Sequence, residues 1–590
     1  MSKNLKPPTF HLGITMAGAV SAGAYTAGFM DYILEVLAVW EKAKDKNRNA
    51  KNDKEYDSRI PMHNVIIDAI GGASAGGMVS MITALSFYYK DMKPVKKKSY
   101  TKTGNILYDS WVFLDDDLND DINSSNQNNR TTFEKMLDTN DIDNVSGTPA
   151  LLNSTPIDKI AERAFNTIPK NTSISDFPPY ISKDLRVLLT LTSLKPVDYV
   201  VNFSRIKSAF MDTTPGHRIS NHEIIAHFKL NFDAENDKEL YLPFKPHEKE
   251  SKDFLIKATK ATGAFPIGLE PRHFDEEFST KYVNTSLARK LAITQNMDIR
   301  FDSQGKDFKF TGVDGGTINN EPFDEVIRCL VSNHGKQKPE EPKYGTILID
   351  PFPNFENKDK KDIPNYQRNI FEVIGKLIPT ILNQARNKRN DTYGFGFFKL
   401  LAFPIKWEKQ GVLKEHPPLA TGGLGGFGGF LGIEFRMHDF FLGRDNARNF
   451  LRGFLFLEYD SKKPSYLFKD ITPEAVKVFD RKYTSPETGK EKIYLPIIPD
   501  VNSLLDDDNG NPYAYTVDEF PKLDINYLNK LKKPIKGRVK KILKTEIKLR
   551  LKGNFLLRNA IKLVLGVISK KITNKVYDSI LEDFKNRKMI

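Results

Sequence analysis

Ser74 stands between Gly72 and Gly76 in the stretch IGGASAGGM, which has the pattern G-x-S-x-G. Where a buried strand turns sharply into a helix, this pattern exposes the serine hydroxyl, and the helix directs its N-terminal N–H groups at it. The apolar run NVIIDAI before the motif and the helical spacing after it provide that context. The pattern predicts that Ser74 is a nucleophile in a nucleophile elbow. The alternative is a glycine-rich turn that only packs the strand against the helix.

A nucleophilic serine needs a base within hydrogen-bond reach, and histidine is the usual one. His334 lies in the polar loop SNHGKQKPEEP and is expected to be solvated, and His416 precedes two prolines. His438, in FRMHDFFLGRDNARNF, is the only one of these three with ionisable groups close in sequence on both sides. A Ser–His–Asp triad through His438 is therefore one hypothesis, although none of the three follows a strand in a short loop.

Asp314 is a second candidate base. It ends the apolar run FKFTGV and begins the segment DGGTINNEPFDEVI. In a parallel α/β sheet the carboxyl ends of the strands line one edge, where sites form, so an aspartate there can face Ser74. The alternative is a D-G hairpin turn, but a helical pattern rather than a second strand follows it.

No metal or organic cofactor is expected. In HEIIAH, residues 222–227, the histidines are five positions apart, which on a helix separates them by about 140°, unlike the same-face pair of HExxH. The acidic, Asn-rich segment 114–130 lacks the glycine and the spaced glutamate of an EF-hand loop.

The elements that must position these side chains alternate in type. Buried strands are predicted in TFHLGITMAG, NVIIDAI, LRVLLTLTSL, FKFTGVDGG and YGTILIDPFP, with helical patterns such as DKIAERAF between them. This order predicts an α/β fold with a mostly parallel central sheet. After residue 360 the pattern changes to helical segments and the glycine-rich stretch ATGGLGGFGGFLG. We expect a catalytic domain at 1–355, an extension at 356–529 and a helical tail at 530–590.

The net charge of +13 is concentrated in the tail. Residues 530–571 hold fifteen Lys or Arg and one acid, Glu546, so the rest of the chain is nearly neutral. A helix is predicted from Pro534 to Gly553, with one apolar and one basic face. Together with the segment NFLLRNAIKLVLGVISKKI it is typical of a helix pair that lies on an anionic membrane surface. The alternative is a helical hairpin packed on the body with its basic face in solvent.

Cysteine content, apolar runs and aromatic residues indicate the cellular location of the protein and its binding partners. The chain has one cysteine, no apolar run long enough to cross a bilayer and no apolar signal segment in MSKNLKPPTF, so we expect a cytoplasmic protein with peripheral membrane contact. Nucleic acid is not expected, because Phe555 is the only aromatic residue in 530–571.

Taken together, the motifs resemble the patatin-like phospholipase family, and in particular its divergent bacterial members. GGASAGG is similar to the family's elbow, DGGTINNEP to its D-G-G/A motif, and ATKATGAFPIGLEP to the small-residue segment between them. The resemblance implies a three-layer α/β/α fold and hydrolysis of phospholipids or other acyl esters by a Ser–Asp dyad without histidine. It implies that Ser74 is the nucleophile and Asp314 its partner, and that an acyl-enzyme forms.

The N-terminal glycine loop departs from the family's G-G-G-x-R/K-G. In register, this chain has Gly18-Ala19-Val20-Ser21-Ala22-Gly23, so the basic residue is replaced by Ala22. The resemblance implies that the N–H groups of Gly18, Ala19 and Val20 form the oxyanion hole, since backbone donors do not require glycine. The altered loop also motivates the alternative of a non-catalytic lipid-binding scaffold.

The segment HDFFLGRDNARNFL, residues 438–451, resembles a C-terminal segment of long bacterial members. One interpretation is that Arg444 or His438 contacts a lipid head group. The other is that they form helix caps and surface ion pairs.

Overall fold

The structure is a computed structural model that describes residues 7–117, 130–143, 147–202, 216–291, 298–303, 305–338, 341–352, 380, 398–406, 418–484, 489–505, 520–550 and 555–590. Its strands are β1 Thr9–Met16, β2 Asn64–Gly72, β3 Ile181–Asn202, β4 His217–Lys229, β5 Leu242–Pro243, β6 Arg272–Phe274, β7 Asp298–Phe301, β8 Phe310–Asp314, β9 Tyr344–Ile349, β10 Phe398–Ala402, β11 Phe456–Tyr459, β12 Arg481–Thr484 and β13 Glu491–Pro496. Its helices are α1 Gly23–Arg48, α2 Ser74–Ser86, α3 Ile106–Trp111, α4 Thr132–Met136, α5 Thr155–Asn166, α6 Lys249–Thr262, α7 Thr280–Leu291, α8 Phe323–His334, α9 Ile433–Gly453, α10 Pro473–Phe479, α11 Ile525–Arg550 and α12 Phe555–Asn586.

The central sheet is mixed, with a parallel core. Its order is β10-β9-β1-β2-β3-β4-β5, and the five strands from β10 to β3 run parallel. Strands β4, β7 and β8 pair antiparallel with β3. The predicted α/β class with a mostly parallel sheet is confirmed.

Alternation along β3 shows why the sheet is covered on both faces. Val187, Leu189 and Leu191 join the large core, whereas Leu188 joins a smaller cluster with Val326 and other residues of helix α8. Since successive side chains of a strand point to opposite faces, a strand that is apolar at every position is buried on both sides.

The extension after residue 418 belongs to the same core. Helix α9 crosses α1 closely, because a side chain at Gly28 would collide with the backbone of Phe440, and one at Gly443 with that of Tyr25. Leucines and phenylalanines of α9 pack in the large cluster with α1.

The buried polar groups of α9 are paired across this crossing. Arg444 is buried and bonds Asp31 and Glu35 of α1, the latter at 2.5 Å. The interpretation of Arg444 as a surface ion-pair residue was wrong in its location, because its ion pairs with Asp31 and Glu35 are buried. Contact of Arg444 with a lipid head group stays a prediction.

The tail forms a helical hairpin, with α11 and α12 packed on the body at its base. Leu528, Leu531 and Ile535 of α11, and Tyr577 and Phe584 of α12, join a second core cluster. The predicted start of the first tail helix was wrong: α11 begins at Ile525 and contains Pro534. The predicted end at Gly553 lies outside the described residues. No helix in the described part of the chain has the length and apolar character that a bilayer crossing needs.

Candidate active site

Ser74 occupies a strained turn between β2 and α2. Strand β2 ends at Gly72, helix α2 begins at Ser74, and the φ angle of Ser74 is +53°. Such a left-handed conformation is uncommon for a residue with a side chain and is found at functional sites. A side chain at Gly76 would collide with the carbonyls of Met16 and Ala17, so the elbow packs directly against the end of β1. A side chain at Gly72 would in turn collide with the backbone of Gly76.

Asp314 lies beside Ser74. Ser74 Oγ donates a hydrogen bond of 2.6 Å to Asp314 Oδ2, across 240 positions of sequence. The other carboxylate oxygen, Oδ1, accepts the N–H of Gly316 at 2.7 Å. Both residues are buried, with 6% and 4% of their surfaces exposed. Both carboxylate oxygens are therefore held, and the serine proton already points at a base.

The strand that carries Asp314 has the opposite direction to the one expected. Strand β8 runs antiparallel to β3, with Asp314 opposite Leu191. Gly72, the last residue of β2, pairs with Leu189 of the same strand. Strand β8 thus continues beside β3 from where β2 stops, and its carboxyl end meets the carboxyl end of β2. Asp314 therefore lies at the edge of the sheet that the sequence predicted. It lies there because two oppositely directed strands, β2 and β8, meet end to end beside β3, and not because β8 is parallel to β2.

Burial changes the acidity of Asp314. Removal from water raises the pKa of its carboxyl to about 7, against the opposing effect of the hydrogen bonds from Ser74 and Gly316. A carboxyl with this pKa can exchange a proton near neutral pH, as a general base requires.

Thr262 supports the elbow and was not identified from the sequence. Its hydroxyl accepts the backbone N–H of Ser74 at 3.1 Å and donates to the carbonyl of Thr190 at 2.8 Å. Thr262 ends helix α6, within the segment ATKATGAFPIGLEP. The small-residue character of this segment was visible in the sequence, but a tertiary contact of one hydroxyl has no local pattern.

The glycine loop lies against the serine. A side chain at Gly18 would collide with Cβ of Ser74, and the N–H of Gly18 donates to the carbonyl of Asn320 at 3.3 Å. Val20 opens a 3-10 turn, Val20–Ala22, with a φ angle of +50°, an outlier for a β-branched residue. Within the described residues the N–H groups of Ala19 and Val20 have no protein acceptor. Of the three expected oxyanion donors, the N–H groups of Ala19 and Val20 are thus free to bind an oxyanion. The N–H of Gly18 already donates to the carbonyl of Asn320.

A cavity lined mainly by apolar side chains opens at Ser74. Its walls come from α2, α3, α5, the loop after α6 and the glycine-rich stretch, and include Val20, Met78, Ile82, Trp111, Leu114, Ile160, Phe265 and Phe430. The glycine-rich stretch reaches the site because Gly429 N–H donates to Ser21 Oγ at 3.0 Å, and Ser21 Oγ bonds the carbonyl of Gly426.

The histidine candidates lie elsewhere. His438 is buried in α9, with Nδ1 2.8 Å from Asp439 Oδ1 and Nε2 3.1 Å from Lys406 Nζ, and it is not part of the cavity wall. His334 ends α8 and contacts Asp68. His416 lies outside the described residues. Among the described residues, Asp314 rather than a histidine is the ionisable side chain to which Ser74 Oγ is hydrogen-bonded.

Comparisons with known proteins place the chain in a family. The family model described as Patatin-like phospholipase matches residues 14–327, more than half of the chain and a span that includes Ser74 and Asp314. The chain is 26% identical over 605 residues to the uncharacterized protein y4iI of Sinorhizobium fredii (strain NBRC 101917 / NGR234), covering 93% of this chain and 79% of that one. The crystal structure of VipD from Legionella pneumophila is similar at 11% identity and a TM-score of 0.22, over 98% of this chain and 90% of that one. From the family match, this chain belongs to the patatin-like phospholipases, a family of lipid acyl hydrolases.

Proposed function

We propose that the protein hydrolyses acyl esters of lipids, as a phospholipase A or related esterase, through a Ser74–Asp314 dyad. The observation that carries the proposal is the 2.6 Å hydrogen bond between Ser74 Oγ and Asp314 Oδ2 at the foot of an apolar cavity. A proposed nucleophile, a proposed base and an apolar cavity thus meet at one point.

In the first half of the reaction, Ser74 Oγ attacks the ester carbonyl carbon as its proton passes to Asp314. The carbonyl oxygen becomes an oxyanion, and the N–H groups of Ala19 and Val20 are the proposed donors to it, with Gly18 fixing the loop against Ser74. Each such donor contributes about 10²–10³ in rate. Asp314 then returns the proton to the alcohol of the leaving group, and an acyl-Ser74 remains.

In the second half, water takes the place of the alcohol. Asp314 accepts a proton from this water, whose oxygen attacks the acyl carbon, and the same N–H groups hold the second oxyanion. Collapse of that intermediate breaks the bond to Ser74 Oγ, which regains its proton from Asp314. The proposed reaction routes no step through a metal or an organic cofactor.

The cavity favours a long acyl chain as substrate. Its walls are almost entirely aliphatic and aromatic carbon, which matches the hydrocarbon of a fatty acyl chain. Burial of each methylene contributes about 0.8 kcal/mol, so chain length is a main source of binding energy. A phospholipid or another fatty acyl ester fits these walls.

We propose that the tail hairpin docks the enzyme on an anionic membrane surface. On α12, Ile568, Ile572 and Val576 recur every four residues and are each 38% exposed, beside exposed Lys571 and Lys575. On α11, Lys540, Lys544 and Lys548 form an exposed line with the same spacing. Exposed apolar side chains can insert into the surface of a membrane, and basic side chains near them are attracted to its anionic lipids.

The base of the hairpin is linked through intervening residues to the segments that form the walls of the cavity. Arg538 of α11 is buried and binds Asp141 through two hydrogen bonds of 2.6 and 2.8 Å, as well as the carbonyl of Leu151 at 2.7 Å. The N–H of Leu151 donates to Ile267, in the loop that carries Phe265 of the cavity wall. On the other side, Asp583 of α12 accepts the N–H of Leu424 at 2.7 Å. We propose that residues 1–355 supply the chemistry, that Phe430 within 356–529 contributes to the cavity wall, and that 530–590 supply the docking surface.

The proposed activity is tested by hydrolysis of phospholipids and simpler fatty acyl esters. We expect turnover by the wild type and its loss in Ser74→Ala and Asp314→Asn. The matched control is His438→Ala, which removes a buried histidine outside the cavity. Undiminished turnover in either dyad variant would reject the proposed mechanism. Loss of turnover in Ser74→Ala and His438→Ala but not in Asp314→Asn would favour the triad alternative.

A further inference from the structure

Three side chains that the acyl chemistry does not use meet at the other end of the central strands. His11 lies near the start of β1, Asp68 lies within β2, and His334 is the last residue of α8. Asp68 lies four positions before Gly72, the end of β2 next to the elbow, which corresponds to about 13 Å along the strand. The group is therefore remote from the cavity.

Asp68 is placed there by an irregularity of the sheet. In the ladder with β1, Leu12 pairs with Ile67 and Gly13 with Ala69, so Asp68 is an extra residue in β2. In the ladder with β3, Asp68 is also unpaired, although there the longer unpaired segment, residues 182–185, belongs to β3. A bulge in a parallel sheet is rare, and bulges re-aim a side chain where a site needs it. The re-aimed side chain is a carboxylate with only 3% of its surface exposed, on an inner strand.

The two imidazoles converge on this carboxylate. His334 Nε2 lies 2.5 Å and His11 Nδ1 2.9 Å from the same atom, Asp68 Oδ2. The two rings are tilted by 30°, with centroids 3.8 Å apart. His11 Nδ1 is buried, and its contact with Asp68 Oδ2 lacks the alignment of a good hydrogen bond. A buried nitrogen that meets its carboxylate partner out of line is poorly satisfied, which calls for an explanation.

We infer that His11, Asp68 and His334 form a binding site for one Zn²⁺ ion. Two imidazole nitrogens and one carboxylate oxygen are a ligand set that zinc prefers, with a water in the fourth position. All three ligand atoms lie within 4.8 Å of one another. Ligand atoms that lie about 2.0–2.2 Å from a tetrahedral ion are about 3.4 Å from one another. To reach this separation from Asp68 Oδ2, each histidine nitrogen would have to move away by no more than about 1 Å.

Access and local charge fit the same ion. The side chains of His11 and His334 are 22% and 25% exposed, which leaves a path from solvent to the nitrogens. A cation here would neutralise the buried carboxylate of Asp68 and lie at the C-terminal end of α8, where the helix dipole favours positive charge. The ion would join β1, β2 and α8, and would take no part in acyl transfer.

The test is Zn²⁺ binding to the full chain after treatment with a chelator. Calorimetry is expected to show one site in the wild type, and Co²⁺ in its place is expected to give the visible absorption of tetrahedral coordination. His334→Ala removes a partly exposed ligand. Loss of a residue that only orients a metal ligand typically weakens metal affinity by about 10–100-fold, so loss of a ligand itself should weaken Zn²⁺ binding by at least as much. The matched control is His273→Ala, an exposed histidine 3.3 Å from Asp275, which should bind like the wild type.

A second measurement separates ligation from folding. Zn²⁺ is expected to raise the Tm of the wild type and of Ser74→Ala, and to leave that of His334→Ala unchanged. No binding by the wild type, or equal binding by His334→Ala, would overturn the site and would indicate that the two histidines only share the carboxylate of Asp68. Because Ser74→Ala retains the site, failure of the proposed hydrolase activity would not affect this result.

Discussion

The hydroxyl of Thr262 accepts the backbone N–H of Ser74 at 3.1 Å and donates to the carbonyl of Thr190 at 2.8 Å. This contact ties the elbow to the end of α6 and to β3, and it occupies the one N–H that belongs to Ser74. Stabilisation of an oxyanion must therefore come from other backbone groups, of which those of Ala19 and Val20 have no protein acceptor in the described residues.

The first prediction concerns Thr262. Thr262→Val keeps the shape of the side chain but removes the acceptor, and an unsatisfied buried N–H costs about 1–3 kcal/mol. We expect a lower free energy of unfolding in urea and slower reaction of Ser74 with a fluorophosphonate. Thr262→Ser, which keeps the oxygen, should behave like the wild type. Equal rates for the valine and serine variants would show that the contact does not position Ser74.

The second prediction is the pH dependence of nucleophilicity. Since burial raises the pKa of Asp314 to about 7, the carboxyl is protonated below this pH and cannot accept the serine proton. The rate of Ser74 phosphonylation should rise as the pH passes through about 7 and then level off. A rate that rises instead through about pH 4 would mean that Asp314 has the acidity of an exposed carboxyl.

The third prediction is the matching effect on stability. Folding raises the pKa of the Asp314 carboxyl from about 3.8 in the unfolded chain to about 7. The contribution of this carboxyl to stability is therefore complete below about pH 3.8 and is lost as the pH rises through about 7. Asp314→Asn has no such group. The free energy of unfolding of the variant minus that of the wild type should therefore increase between about pH 4 and 8, by about 4 kcal/mol at most. A difference that does not change with pH would contradict the raised pKa.

The fourth prediction concerns the tail hairpin. Lys571→Gln with Lys575→Gln should weaken binding to anionic vesicles by about 30-fold, at about 1 kcal/mol for each lysine. Ile572→Asp should also weaken it, whereas Leu194→Asp, at an exposed position of β3, should not. Sedimentation with vesicles of phosphatidylserine and phosphatidylcholine measures this. Equal binding to neutral vesicles, or an equal effect of Leu194→Asp, would contradict docking through the hairpin.

The elements of the site were predictable because their signals are local. The elbow at Ser74, the strand before it and the end of a strand at Asp314 all follow from patterns within about ten residues. The direction of β8 was not predictable, because it depends on pairing with Leu191 of β3, far away in sequence. The same holds for Arg444, which pairs with acids of α1 more than 400 positions away. The bulge at Asp68 left no sequence signal either, so the group with His11 and His334 was missed.

The most direct test of the central claim is the intact mass of the protein after reaction with a fluorophosphonate, followed by peptide mapping. We predict one phosphonyl group, located on Ser74, in the wild type and in His438→Ala. Ser74→Ala should gain none, and Asp314→Asn should react at least about 100-fold more slowly, as is typical when a general base is lost. Labelling of Asp314→Asn at the wild-type rate, or no labelling of the wild type with and without anionic vesicles, would contradict a Ser74–Asp314 dyad.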